Sequence, residues 1–190
     1  TERTPTLAER KKLLEEKTPS LCSPRTCQYH PPPPEVDYST NESVFGSILR
    51  GESPAVVLRE SNQLLAFQDI NPRAPLHALV IPKRFIESVF SLTKDDLPLL
   101  EEMREVALQI IAEFYPEAYR NRDYILCFHV PPHNSVDHLH LHVMAPASAI
   151  PFYLRFGSGT YRTGTRWCTG ERAVERRLRA GKKPVPYFWA

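Results

Sequence analysis

Three of the chain's seven histidines, His138, His140 and His142, alternate with apolar residues in the run SVDHLHLHVMAP, from Ser135 to Pro146. Side chains on a β-strand point alternately to opposite faces, so the imidazoles would share one face while Leu139, Leu141 and Val143 take the other. Three uses of such a face are open. It can be a solvent-exposed polar face, although Lys, Thr or Glu are more usual there. It can bind a metal, since imidazoles at i and i+2 reach one ion, yet no further ligand stands nearby in the chain. It can also perform nucleophilic catalysis at phosphorus. There a neutral imidazole attacks with one nitrogen while the other donates a hydrogen bond that fixes the tautomer, and neighbouring imidazoles contact the phosphate oxygens. Asn134 and Ser135 would then bring amide and hydroxyl donors to the leaving group.

Such a row needs a sheet to hold it, and the surrounding segments supply one. From Asn41 the pattern becomes that of a compact domain. Asn41 or Ser43 can cap a short helix carrying Val44, Phe45, Ile48 and Leu49, stopped by Gly51. AVVLRE and LLAFQD are β-favouring runs joined at Ser61 and Asn62, and LHALVIP follows as a third strand ended by Pro82, so the three pair as an antiparallel meander. TKDDLPLLEEMREVALQIIAEFYP is the clearest helix, with Thr93 as N-cap, acids in its first turn and an apolar face of Leu97, Leu100, Ala107, Ile110, Ile111 and Phe114. YILCFHV and HLHLHVM read as two further strands around Pro131 and Pro132. The expected fold class is α+β, a mostly antiparallel five-stranded sheet with one long helix and one or two short ones.

Length and composition favour one domain with extensions: an amino-terminal segment over 1–42, the domain over 43–150, and an aromatic, basic segment over 151–190. In the first segment TLAERKKLLEEK offers a short helix, Pro31 to Pro34 a polyproline spacer, and Cys22, Cys27 and His30 a metal-like spacing with no second half. The net charge of +2 is too small to demand a polyanionic partner for the whole chain. The last segment nevertheless sets Arg155, Arg162, Arg166, Arg172, Arg176, Arg177, Arg179, Lys182 and Lys183 against only Glu171 and Glu175. Four scattered cysteines suit a reducing compartment, and no apolar run approaches the roughly 18 residues needed to cross a bilayer. The expectation is a soluble protein of the cytoplasm or nucleus; the chain begins with Thr, so a removed leader stays open.

HLHLHV resembles the H-x-H-x-H signature of the histidine-triad (HIT) nucleotide hydrolases and transferases. VFGSILRGESPAVV, LLAFQDINPRAPLHALVIPK and NSVDHLHLHV stand in the order and spacing of the histidine-triad nucleotide-binding proteins, over about residues 43–146. FHVPPHNSVDHLHLH is closest to the third- and fourth-type members. The resemblance implies that His140 is the nucleophile, that the His138 carbonyl orients it, and that His142 and Ser135 contact the phosphate. It implies that Asp69 binds the ribose and that Val44, Phe45, Ile48, Phe67 and Ile70 form the base pocket. His129 and Asn134 fall at polar phosphate-side positions, His133 joins the nucleotide-binding residues, and His77 falls at a position that supports the triad. Packing explains Phe45, Ile48 and Phe67 equally well, and Asp69 could instead cap the turn before Asn71 and Pro72. Zinc-containing relatives carry a C-x-x-C and a histidine where this chain has Ser43, Gly46 and Phe85, so no metal and no cofactor is expected.

The implied activity is hydrolysis at the α-phosphorus of an AMP conjugate, such as a phosphoramidate or adenylyl sulfate, by a homodimer that needs no membrane. Two rivals stand beside it. One is a nucleotide-binding sensor or scaffold with incidental catalysis. The other is action on nucleic-acid ends, as in the aprataxin and decapping relatives, motivated by Tyr153, Phe156, Tyr161 and Trp167 among the arginines. A solvated helix face in GERAVERRLRA is the plainer account of that charge.

Overall fold

In the computed structural model, residues 38–157 and 161–186 are described. The expected amino-terminal helix, the Pro31–Pro34 spacer and the Cys22, Cys27, His30 group lie outside them. Six strands, β1 (Val57–Glu60), β2 (Leu64–Gln68), β3 (Leu76–Pro82), β4 (Ile125–His129), β5 (Leu141–Ala145) and β6 (Cys168–Gly170), form one sheet in the order β1-β2-β3-β5-β4-β6. All neighbours are antiparallel. The five expected strands are present, and β6 is an addition from the aromatic, basic segment, lying along β4. The helices are α1 (Val44–Leu49), α2 (Leu97–Phe114), α3 (Pro116–Arg120) and α4 (Glu171–Arg179).

Strand alternation sorts the residues into two faces. Leu64 and Ala66 of β2, Ala78 and Val80 of β3, Leu126 and Phe128 of β4, and Leu141 and Val143 of β5 join Met103, Ala107, Ile110 and Ile111 of α2 in the main core. Burying each large apolar side chain contributes about 1.5–3 kcal/mol. Thr93 and Asp96 form a capping box on the 3₁₀ turn Lys94–Asp96 that leads into α2. The helix gives way at Tyr115, after which Pro116 opens α3 at a position where its missing N–H costs nothing. The intervening positions, His77, Leu79, Cys127, His129, His142 and Met144, therefore face away from α2.

The basic segment folds back onto the same core, with Val174 and Leu178 of α4 buried in it. Ion pairs tie it to α2: Glu175 binds both Arg104 and Arg179, and Arg179 also reaches Glu101. Among the described residues no helix is long and apolar enough to cross a membrane.

Candidate functional site

The expected strand through all three histidines is shorter than its pattern. Pairing with β3 stops at Val80–Leu141, and just upstream the Leu139 N–H donates to the Ile86 carbonyl (2.7 Å), so His138 and His140 precede the paired strand. All three rings are buried, which removes the solvent-exposed polar face from the open uses. Phe45 covers the row from α1, with ring centroids 5.9 Å from His138 and 5.3 Å from His140, both edge-on.

Hydrogen-bond partners settle the tautomers, because a carbonyl can only accept and an amide N–H can only donate. His138 Nε2 lies 2.9 Å from the Pro82 carbonyl and so carries the proton. Its Nδ1 accepts from the Asn41 side-chain amide at 2.7 Å. Asn41 in turn accepts from the Ser43 N–H and hydroxyl. Ser43 caps α1 by accepting from the Gly46 N–H. His140 Nδ1 lies 2.7 Å from the His138 carbonyl and donates to it, leaving the Nε2 lone pair for chemistry. Burial lowers His138 to about 4 against the opposing Pro82 hydrogen bond, and lowers His140 against its bond to His138 and the nearby Asp69 charge. Both rings are therefore neutral near pH 7.

His142 sits in a different setting. Its Nδ1 lies 2.9 Å from His77 Nε2, and its Nε2 lies 3.0 Å from His129 Nδ1. Burial pushes it well below the ordinary imidazole value, helped by His140, His129 and His77; His77 falls to about 4, chiefly by burial, with Asp69 opposing. Asp69 Oδ2 is 3.4 Å from His77 Nε2 and 4.0 Å from His142 Nδ1, while Oδ1 accepts from the Asn71 N–H at 2.8 Å. The turn-capping use of Asp69 is thus present together with a place beside the histidines.

Other expected residues divide. Phe45 and Phe67 pack edge-on at 5.6 Å, and Ile48 adjoins their cluster, whereas Val44 is half exposed and Ile70 is 83% exposed. Ser135 is exposed; the Asn134 amide donates to Asp137 Oδ1 (2.8 Å) and braces its own loop. His133 stacks on Trp167 with ring centroids 3.7 Å apart. Three contributors went unrecognised in the sequence. Asn41 seemed only a possible helix cap, while Tyr161 and Trp167 seemed candidates for nucleic-acid contact. The Tyr161 ring instead lies 5.6, 5.2 and 5.5 Å from those of His77, His129 and His142. Burial first, then the Asp69 charge, pushes its phenol up, so it stays neutral.

Two groups, His129, His140 and His142, and Asp69, His77 and His142, have donor atoms close enough to hold a cation. The hydrogen-bond polarity opposes both. The Arg73 backbone N–H donates to His77 Nδ1 at 3.1 Å, so neutral His77 has its proton on Nε2 and no lone pair there for a metal. That proton occupies His142 Nδ1, which keeps the His142 proton on Nε2.

A family model described as "Scavenger mRNA decapping enzyme C-term binding" matches residues 42–155. The chain is 36% identical over 149 residues to adenosine 5'-monophosphoramidase HINT3 of Danio rerio, covering 77% of this chain and 89% of that protein. It is 35% identical over 122 residues to the bifunctional adenosine 5'-phosphosulfate phosphorylase/adenylylsulfatase HINT4 of Arabidopsis thaliana, covering 63% and 78%. Among solved structures, SMU.412c from Streptococcus mutans UA159 has a TM-score of 0.51 at 24% identity, over 62% of this chain and 74% of that one, a likeness of fold.

Proposed function

This chain belongs to the histidine-triad (HIT) family, and from that premise we propose that it hydrolyses an AMP conjugate through a nucleotidyl intermediate on His140. The observation that carries this is the 2.7 Å bond from His140 Nδ1 to the His138 carbonyl, which leaves Nε2 unprotonated and supports the positive charge that grows on the ring during attack. Nε2 forms a bond to the α-phosphorus as the bond to the leaving nitrogen or oxygen breaks. Water then cleaves the adenylyl-imidazole, releasing AMP and restoring the lone pair.

The names of the two relatives support adenosine phosphoramidate and adenylyl sulfate as the conjugates to try first. Asp69 takes the ribose hydroxyls, and the base lies against Val44, Phe45, Ile48, Phe67 and Ile70. Ser135 faces the leaving group, with His133 and Asn134 on the same loop. The working unit is a homodimer, which sedimentation of the full chain tests. No step uses a metal.

Single-turnover labelling with adenosine phosphoramidate radiolabelled in its phosphate tests the chemistry. The wild type acquires acid-labile label, and His140→Ala acquires none while its turnover falls by on the order of 10⁴-fold or more. Label on the His140→Ala protein sinks the assignment. Ser135→Ala slows turnover by about 10²-fold, as for other donors at a leaving group.

A further inference from the structure

Away from the histidines, on the side of the sheet that carries α2, the residues that follow α4 line one wall of a cavity of about 450 Å³. That volume is within the range of pockets that hold small organic ligands, about 300–1,000 Å³. We propose that this cavity binds an aliphatic carboxylate of the fatty-acid kind, its chain on the apolar floor and its head at a rim of lysines. Such a site needs nothing from the nucleotide chemistry at His140.

The floor is mainly aliphatic. Leu92, Leu178 and Val185 line the cavity and belong to the main core, with Pro184 buried beside them. Phe90, 37% exposed, adds one ring from the 3₁₀ turn Val89–Ser91. An alkyl chain covers such a surface without leaving a polar group unpaired, and each methylene withdrawn from water strengthens the binding. A nucleic-acid base would need exposed aromatic faces to stack on, and among the lining residues Phe90 is the single ring.

The rim carries the opposite kind of side chain. Lys94, Lys182 and Lys183 are exposed along the lining, and no carboxylate is among the lining residues. Acids on the neighbouring elements have other partners: Asp96 binds Arg84 and accepts from the Thr93 N–H, Glu101 binds Arg179, and Glu175 binds Arg104 and Arg179. Asp95 is exposed and outside the lining. Lys94 and Lys182 therefore favour an anionic head. A compact ammonium suits a carboxylate without the flat two-point geometry that a guanidinium imposes.

The backbone under both lysines is set before any ligand arrives. Gly181 takes φ 67°, the left-handed conformation that ends α4; its N–H donates to the Leu178 carbonyl and the Lys182 N–H to the Arg177 carbonyl, each at 2.9 Å. These bonds engage carbonyls at the negative end of the helix, which would otherwise repel an anion. Arg177 Nε then donates to the Lys183 carbonyl at 2.7 Å, which holds the chain as it turns into Pro184 and Val185. Lys94 opens the 3₁₀ turn that the Thr93 and Asp96 capping box fixes. Little ordering is left to oppose binding.

Methyl ¹³C–¹H spectra of the full chain, titrated with decanoate, test the site directly. The Leu92, Leu178 and Val185 signals should shift together with a Kd of roughly 0.1 mM. Acetate, which lacks the chain, and decylammonium, which carries the opposite charge, should leave them in place at the same concentrations. Combining Lys94→Gln with Lys182→Gln should weaken decanoate by about 10-fold, while the methyl spectrum without ligand stays that of the wild-type fold. Equal affinity for decanoate and decylammonium, or for decanoate in the wild type and the double variant, overturns the lysine rim. Shifts confined to other methyl groups, or none up to about 2 mM decanoate, overturn the site. Movement of the same three signals on diluting the protein without decanoate would assign the cavity to a second copy of this chain and overturns it as well.

Discussion

The two ends of the histidine row use the same side chain in opposite ways. At one end the His138 ring is held by groups that do not titrate, the Asn41 amide and the Pro82 carbonyl, and its useful atom is its backbone oxygen, which orients His140. At the other end the His142 ring is held by two more imidazoles and acts as a link between them. Between these, His140 has one nitrogen engaged and one available. Spacing makes the three residues neighbours; what stands across from each ring sets its task.

The largest expected effect distinguishes burial of the row from simple exposure. Unfolded imidazoles take up protons near pH 6.5, whereas folded His77 and His138 refuse them until about 4, and burial holds His142 well below the ordinary value too. The unfolded state therefore binds more protons as pH falls from about 6.5 to about 4, and stability drops across that window by roughly 3 kcal/mol for each of His77 and His138. Urea unfolding at pH 7.5 and pH 4.5 measures it, and an unchanged midpoint with unchanged slope would contradict neutral burial at both ends.

A substitution at Gly46 strikes the His138 end alone. A Cβ on Gly46 would stand 2.0 Å from the Asn41 carbonyl oxygen, so α1 and Asn41 cannot both keep their places in Gly46→Ala. Overpacking of this kind costs about 1–3 kcal/mol or more, and here it also loosens the Asn41 bond that fixes the His138 tautomer. Thermal unfolding should show the loss, and the His142 and His129 ¹⁵N signals should stay where they are. Movement of those signals would mean that the two ends are coupled.

The smallest effect concerns the wall beside the His142 end. Tyr161→Phe keeps the ring that lies against His77, His129 and His142, and should change stability by less than about 1 kcal/mol and the adenylylation rate by no more than about threefold. Tyr161→Ala removes the ring and should cost about 3 kcal/mol. A large rate loss in Tyr161→Phe would assign the phenol a part in the chemistry.

Much of the framework was legible in the chain. The apolar period of α2, its capping residues Thr93 and Asp96, and the alternation of β2 to β5 each follow from local physics, and they place the histidines on one face. β6 was not legible, because three residues, Cys168 to Gly170, carry too little pattern and pair only because β4 offers an edge. Tyr161 and Trp167 stood among arginines and looked like surface aromatics; only the return of the chain onto β4 puts them against His129 and His133. Asn41 lies 97 positions from the His138 ring it binds, and no local signal marks such a pair.

By itself the sequence determined that three imidazoles share one side of an extended segment and that apolar residues fill the other, since the two-residue period of extended backbone is a local property. Which nitrogen of each ring holds a proton was decided only by the tertiary structure. A tautomer depends on whether the facing group donates or accepts, and Pro82, Asn41, Arg73 and His77 come to face the row from strands and loops distant in the chain.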